Sequence, residues 1–183
     1  MTEQKKQKKR IVIVDKLPEK KEKTQKQVSG ISLTKEIVKK EDETSYFKDL
    51  LDTIPFQKHS YFKRSVCRVD NNQIELIPTL LILVEFLQNN YNVLVKGVFC
   101  NLYEGQDFCP YHADSYGTDV YTMSFGDSKE FYTKDNKTKE VTKYLLEDGD
   151  ILWFSKEWNS ENKHSIPKRT RFTGKRISIV FFT

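Results

Sequence analysis

The chain has 183 residues, enough for one domain with a sizeable core plus a tail, and its 12 Phe and 9 Tyr favour a β-rich core. Its three cysteines, Cys67, Cys100 and Cys109, are odd in number and lack CxxC spacing, which excludes a disulfide framework and a cysteine zinc site and reads as free thiols in a reducing compartment. The net charge of +5 belongs to residues 1–45, with 13 Lys/Arg against 8 Asp/Glu; of the totals of 31 and 26, the rest of the chain keeps 18 of each sign.

Residues 1–45 are rich in Lys, Gln and Glu, carry no aromatic residue, and hold only short apolar runs such as Ile11-Val12-Ile13-Val14. This composition predicts a disordered basic tail. Such a tail either solvates the protein or acts as an arm that touches nucleic acid or carries a localisation signal. No segment resembles the apolar region of a signal peptide, and no apolar run reaches about 18 residues. An intracellular protein, cytoplasmic or nuclear, with no membrane partner is therefore expected.

The folded domain is expected over residues 46–183. Tyr46-Phe47-Lys48-Asp49-Leu50-Leu51 predicts a short amphipathic helix with Phe47, Leu50 and Leu51 on its apolar side, closed by Pro55. Residues 56–75 mix polar and aromatic positions and suit strands or a covering loop. Pro78 opens a helix over Thr79–Leu87, stopped by Asn89-Asn90; it is apolar nearly all round and should be buried.

Beyond Asn90 the pattern turns to strands. Val93–Tyr103 ends at Glu104-Gly105, and Val120–Phe125 ends at Gly126-Asp127. Glu130–Thr133 and Val141–Leu146 flank a turn at Asp135-Asn136, as a hairpin would. Ile151–Phe154 follows Gly149-Asp150, and Arg176–Phe182 ends the chain as a buried strand. Short strands at regular spacing predict a sandwich or jelly roll, so the class is mainly β with flanking helices (α+β).

His112-Ala113-Asp114 stands out on this frame. On an extended segment residues two apart face the same way, so His112 and Asp114 can reach one ion. His164 follows the Trp153 strand, in what reads as a polar loop before Ser165-Ile166-Pro167. Two imidazoles and one carboxylate form the facial triad of non-heme iron(II) oxygenases, which leaves positions open for reactants. The chain has only three histidines, and His59, in a Lys/Ser/Tyr stretch, is the spare one. Arg176 could offer a bidentate fork to a carboxylate, and Tyr103 a hydroxyl to the same group. Each residue alone has a bland explanation: Asp114 as a turn residue near Ser115 and Gly117, His164 as a surface histidine, Arg176 as part of a solvated basic loop. Order and spacing together favour the metal site.

Several stretches carry a family resemblance. They are Asn101-Leu102-Tyr103-x-Gly105, His112-Ala113-Asp114, Ser124-Phe125-Gly126, Gly149-Asp150, His164-Ser165-Ile166-Pro167 and Arg176. From Val98 to Phe182 the chain resembles the AlkB-like branch of the iron- and 2-oxoglutarate-dependent dioxygenases. The resemblance implies a double-stranded β-helix of jelly-roll type. It implies Fe(2+) held by His112, Asp114 and His164, and 2-oxoglutarate paired with Arg176 and assisted by Tyr103, with Asn101 hydrogen-bonding nearby. It also implies O2 as oxidant, succinate as co-product, and release of formaldehyde when an N-methyl group is hydroxylated.

The last strand departs from the R-x-N-x-T-x-R pattern usual among the family's nucleic-acid demethylases. Ser178 replaces the asparagine and Phe182 the second arginine, so co-substrate binding is expected to lack one cation. Tyr116 stands where an acidic residue usually follows the metal aspartate. Lys163, Lys168, Arg169, Arg171, Lys175 and Arg176 could track a phosphate backbone or form a solvated basic loop. Tyr111 and Tyr116 flank the metal motif as candidates for a substrate pocket; Tyr61 and Phe62 could stack a flipped base or serve the core. Cys109, three residues before His112, is exposed to oxidation by the site's own chemistry. The expected activity is oxidative demethylation of methylated DNA or RNA by a monomer. The alternatives are a protein or small-molecule hydroxylase on the same fold, and an inactive nucleic-acid-binding module.

Overall fold

The structure is a computed structural model that describes residues 29–35, 46–59 and 61–183. In chain order its elements are β1 (Ile31–Thr34), α1 (Tyr46–Thr53), β2 (Gln57–His59), β3 (Arg64–Val69), α2 (Asn71–Ile74) and α3 (Pro78–Tyr91). There follow β4 (Gly97–Glu104), β5 (Cys109–His112), β6 (Val120–Gly126), β7 (Lys129–Asp135) and β8 (Val141–Leu146). The chain closes with β9 (Ile151–Phe154), α4 (Lys156–Glu161), β10 (Asn162–Ile166) and β11 (Lys175–Phe182).

The strands form two antiparallel sheets. The larger has the order β1-β9-β6-β11-β4-β3-β2 and the smaller β5-β10-β7-β8. β11 occupies the middle of the larger sheet because its residues alternate: Ile177, Ile179 and Phe181 face one way, Arg176, Ser178, Val180 and Phe182 the other. The first row joins Cys100, Leu102, Met123 and Phe125 in a core covered by Leu50 of α1 and Leu80, Leu83 and Leu87 of α3. The second row faces the smaller sheet, where a second core gathers Phe131, Tyr144, Leu146, Phe154 and Trp158.

The expected helices and the hairpin are present. β7 and β8 pair with Thr133 opposite Thr142, and α1 buries Leu50 with Phe47 and Leu51 packed against the same core. α3 runs beyond Asn89-Asn90 to Tyr91, because the left-handed residue that ends it is Asn92 (φ 52°). β4 begins at Gly97 rather than Val93, after that turn. Residues 56–75 form β2, β3 and α2. Within the expected tail, Ile31–Thr34 is a strand: it pairs with β9, Ile31 opposite Phe154, and Ile31 joins the second core. The other tail residues, 1–28 and 36–45, lie outside the described residues. Gly126 sits opposite Arg176 with φ 88°, and a Cβ there would lie 2.7 Å from both the Lys175 carbonyl and the Phe47 ring.

Candidate metal centre

A cross-strand pair builds the centre. His112 at the end of β5 lies opposite His164 in β10, with ring centroids 4.3 Å apart. His164 is therefore a strand residue, not the loop residue its polar neighbours suggested. Its ring stacks on Phe131 (5.3 Å, 14°) and packs against Phe154 at 5.2 Å, which leaves it 7 % exposed. Asp114 follows β5. Its carboxylate reaches both histidines, Oδ1 to His112 Nε2 at 3.6 Å and Oδ2 to His164 Nε2 at 3.8 Å. One ligand atom from each of the three lies within 4.8 Å of the others.

Local contacts hold these groups. His112 Nδ1 lies 3.0 Å from the Pro110 carbonyl, which assigns that nitrogen as a donor and turns Nε2 toward Asp114. Asn159 of α4 clamps the backbone of Asp114 on both sides. Its Oδ1 accepts from the Asp114 N–H (3.0 Å) and its Nδ2 donates to the Asp114 carbonyl (2.8 Å). Cys109 Sγ lies 3.4 Å from His112 Nδ1, so the thiol expected near the site is against its ligand ring.

Burial and charge act differently on the three groups. Burial alone would raise the Asp114 carboxyl, but the hydrogen bond from His112 and the nearby His164 and Arg64 hold it below the usual range. Burial also opposes protonated His112, yet Asp114 and Cys109 outweigh it and push its pKa up to about 10. For fully buried His164 desolvation wins over the attraction of Asp114, and its pKa falls to about 4. A carboxylate and a neutral imidazole thus stand ready, and a metal would displace the proton shared by His112 and Asp114.

The triad lines a cavity of about 480 Å³ whose other wall is the inward row of the larger sheet. Arg176 opposes Tyr103 in the register and is 1 % exposed. Its Nη2 donates to Ser124 Oγ at 2.8 Å, while Nε and Nη1 are buried without a partner among the described residues. Burial lowers its pKa to about 10, so it remains a cation at neutral pH. Tyr103 is buried beside it, its phenol pKa pushed up by desolvation. Asn101 lines the cavity, but its Oδ1 is taken by Arg64 Nε at 2.6 Å.

Arg64 and Lys129 were not singled out in the sequence. Continuing the Ser65–Leu102 register by one residue puts Arg64 opposite Tyr103, with its guanidinium 5.6 Å from that ring, on the cavity wall. Lys129 Nζ lies 5.7 Å from the same ring. Two cations outside the last strand thus stand near Tyr103. A basic residue at an inward position of a strand was the available signal.

Of the candidate substrate residues, Tyr61 and Tyr116 line the cavity, whereas Tyr111, one residue from His112 on strand β5, is exposed beneath Lys134 and is not among the lining residues. Tyr61 is 79 % exposed and rests against Phe62 (5.4 Å), so it is a rim residue rather than core. Tyr116 stacks on Phe182 at 3.8 Å. His59 packs on Phe62 at 4.8 Å, away from the triad. The basic cluster is mixed in character: Arg176 is buried, Arg169 pairs with Glu130, and Lys175 pairs with Glu104 at 2.7 Å. No helix among the described residues is long and apolar enough to cross a membrane.

No protein-family model matches the chain, and neither does any curated protein. Solved structures do match. OsALKBH1 aligns with a TM-score of 0.56 at 15% identity, over 84% of this chain and 98% of that one. An oxidoreductase of the 2OG-Fe(II) oxygenase family from Burkholderia pseudomallei aligns with a TM-score of 0.59 at 15% identity, over 84% of each. The chain has the jelly-roll fold of AlkB-like 2-oxoglutarate–iron(II) oxygenases.

Proposed function

We propose that this chain is an iron(II)- and 2-oxoglutarate-dependent dioxygenase acting on alkylated nucleic-acid bases. One observation carries the proposal. A two-histidine, one-carboxylate set shares a single cavity with a buried guanidinium whose Nε and Nη1 have no partner among the described residues. The donor set suits iron(II) and the orphaned guanidinium suits a carboxylate. His112, Asp114 and His164 would hold the metal, and Arg176 with Tyr103 the distal carboxylate of 2-oxoglutarate. When bound, iron and co-substrate activate O2 for substrate oxidation, with succinate and carbon dioxide as co-products.

The chain's own residues supply orientation and dryness. The Pro110 carbonyl sets the tautomer of His112, and Asn159 fixes the Asp114 loop. Phe131 and Phe154 shield His164 and keep water from that side of the site. Tyr61 and Tyr116, which line the cavity and are exposed, offer faces on which an extruded base can stack. The net charge of +5, carried by residues 1–45, favours a polyanion near that segment.

The test is turnover with a panel of methylated DNA and RNA oligonucleotides, scored by succinate and formaldehyde. Stimulation by at least one member is expected. If oligonucleotides give nothing while peptides or metabolites are hydroxylated, the substrate class is wrong and the oxygenase chemistry stands. The Tyr116–Phe182 stack narrows the mouth and is what favours that second outcome.

A further inference from the structure

The outward face of the smaller sheet carries a pattern that the dioxygenase chemistry does not use. Burial alternates along β7: Lys129, Phe131 and Thr133 are buried, while Glu130, Tyr132 and Lys134 reach the surface. In the register Tyr132 lies opposite Lys143 of β8, and Lys134 lies opposite Lys163 of β10. Tyr111 joins the row from β5, with Lys134 Nζ 5.8 Å over its ring. Tyr132 lies beneath two cations, Lys143 Nζ at 5.1 Å and the Arg169 guanidinium at 5.6 Å. Tyr111, Lys143 and Lys163 are exposed.

Charge on this face is one-sided. Like charges directly opposite across a strand pair repel, so setting Lys134 against Lys163 gives the sheet nothing. The carboxylate of the outward row, Glu130, is taken by Arg169. The Asp135 carboxylate at the turn accepts from the Lys137 and Thr138 N–H groups. Lys134, Lys143 and Lys163 form no ion pair among the described residues. An unpaired cationic row interleaved with tyrosine rings suits a polyanion that also brings flat faces. An acidic peptide would meet the charge and leave the rings unused. A duplex offers grooves that admit a helix or a ribbon, whereas the bases of a single strand can stack on rings across a sheet.

We propose that this face binds a single-stranded nucleic acid, with phosphates on Lys134, Lys143 and Lys163 and bases on Tyr111 and Tyr132. β5 is the edge strand of the smaller sheet, and Tyr111 immediately precedes His112. The segment that follows, Ala113 to Tyr116, lines the cavity, so the face ends at the metal centre. The inference extends the nucleic-acid reading above to a surface outside the cavity, and its test needs neither iron nor turnover.

The test is fluorescence anisotropy of a labelled oligothymidine of roughly 12 nucleotides, a length within the span of one single-strand-binding fold. It uses the full chain without metal or co-substrate, which holds the contribution of basic residues 1–45 constant. Wild type should bind, with an affinity that falls as salt rises. Lys134→Gln combined with Lys163→Gln should weaken binding and reduce the slope of log affinity on log salt by about 1.4, the loss of two phosphate contacts on a single strand. Lys134→Arg combined with Lys163→Arg should keep both affinity and slope. Tyr111→Ala should weaken binding about tenfold, the loss of one stacked base, and leave the slope unchanged. If Tyr111→Ala does not fold, Tyr111→Leu keeps the bulk and removes the ring. Folded Gln and Tyr111 variants that bind as wild type does would mean that residues 1–45 hold the strand, and would overturn the proposal; so would a wild type that does not bind. Poly-glutamate that displaces the probe as well as unlabelled oligothymidine does would overturn the choice of nucleic acid. Each of these results leaves the oxygenase chemistry intact, and methylated oligonucleotides that fail to support turnover would leave the binding face intact.

Discussion

The two faces of the larger sheet are made from the same strands and hold opposite chemistry. One face of β4, β6 and β11 presents Cys100, Leu102, Met123, Phe125, Ile177 and Ile179 to the helices. The other presents Asn101, Tyr103, Thr122, Arg176 and Ser178 to the cavity. The covered face supplies the apolar burial that stabilises the domain. The cavity face is buried almost as completely but holds cations and amides whose desolvation opposes folding. A period of two lets one strand serve stability on one side and ligand binding on the other.

The largest expected effect sharpens the contrast. Ile179→Ala, on the helix side and fully buried, should destabilise by about 2–5 kcal/mol in a denaturant melt. It should leave metal affinity unchanged in the fraction that remains folded. A small loss would mean that the helix-side core is less tightly packed than its burial indicates.

Lys129 gives the contrast a pH dependence. Its pKa falls from 10.5 in the unfolded chain to about 8 in the fold. Below pH 8 both states carry the proton and the folded state bears the whole burial cost. Between 8 and 10.5 the folded state alone releases it, so ligand-free stability from this group rises with pH. Lys129→Met should therefore exceed wild type by up to about 3 kcal/mol below pH 8, with the gain gone by pH 10.5. A Lys129→Met protein no more stable than wild type at pH 7 would show that the ammonium is solvated.

Asn159→Ala removes both bonds to the Asp114 backbone. It should cost about 1–3 kcal/mol of stability and weaken metal binding by roughly tenfold, without touching a ligand. An unchanged metal affinity would mean that the Asp114 loop is held by other contacts. The smallest effect belongs to the rim: Tyr116→Ala loses one half-exposed stack on Phe182, worth about 1 kcal/mol, and should spare metal and co-substrate affinity. A fall in either would move Tyr116 from the rim into the site.

The sequence disclosed the apolar side of this design more readily than the polar side. Alternation in Val120–Phe125 and the apolar character of Arg176–Phe182 marked two central strands, and the all-round apolar run of α3 marked its burial. His112, Asp114 and His164 were legible as residue types in order, because only three histidines were available. The strand that carries His164 was not. Asn162 and Lys163 precede it, its apolar content is a single Ile166, and pairing with β5 and β7 makes it a strand. α4 has six residues and no apolar period, and is fixed by the Ser155 cap on the Trp158 N–H (3.1 Å) and by burial of Trp158. β1 was hidden in a stretch of tail-like composition and becomes a strand through its register with β9. Arg64 and Lys129 stayed invisible for a related reason: a cation at an inward position breaks the apolar alternation by which strands are recognised, so both look like strand ends.

The central claim is that the triad and the cations across the cavity form one site for iron(II) and 2-oxoglutarate. Anaerobic titration of both into the protein, followed by visible absorption, tests it directly, with His112→Ala as the control. A metal-to-co-substrate charge-transfer band in the wild type, absent from the folded variant, is the predicted result. A folded wild type that gives no band under saturating metal and co-substrate would contradict the account.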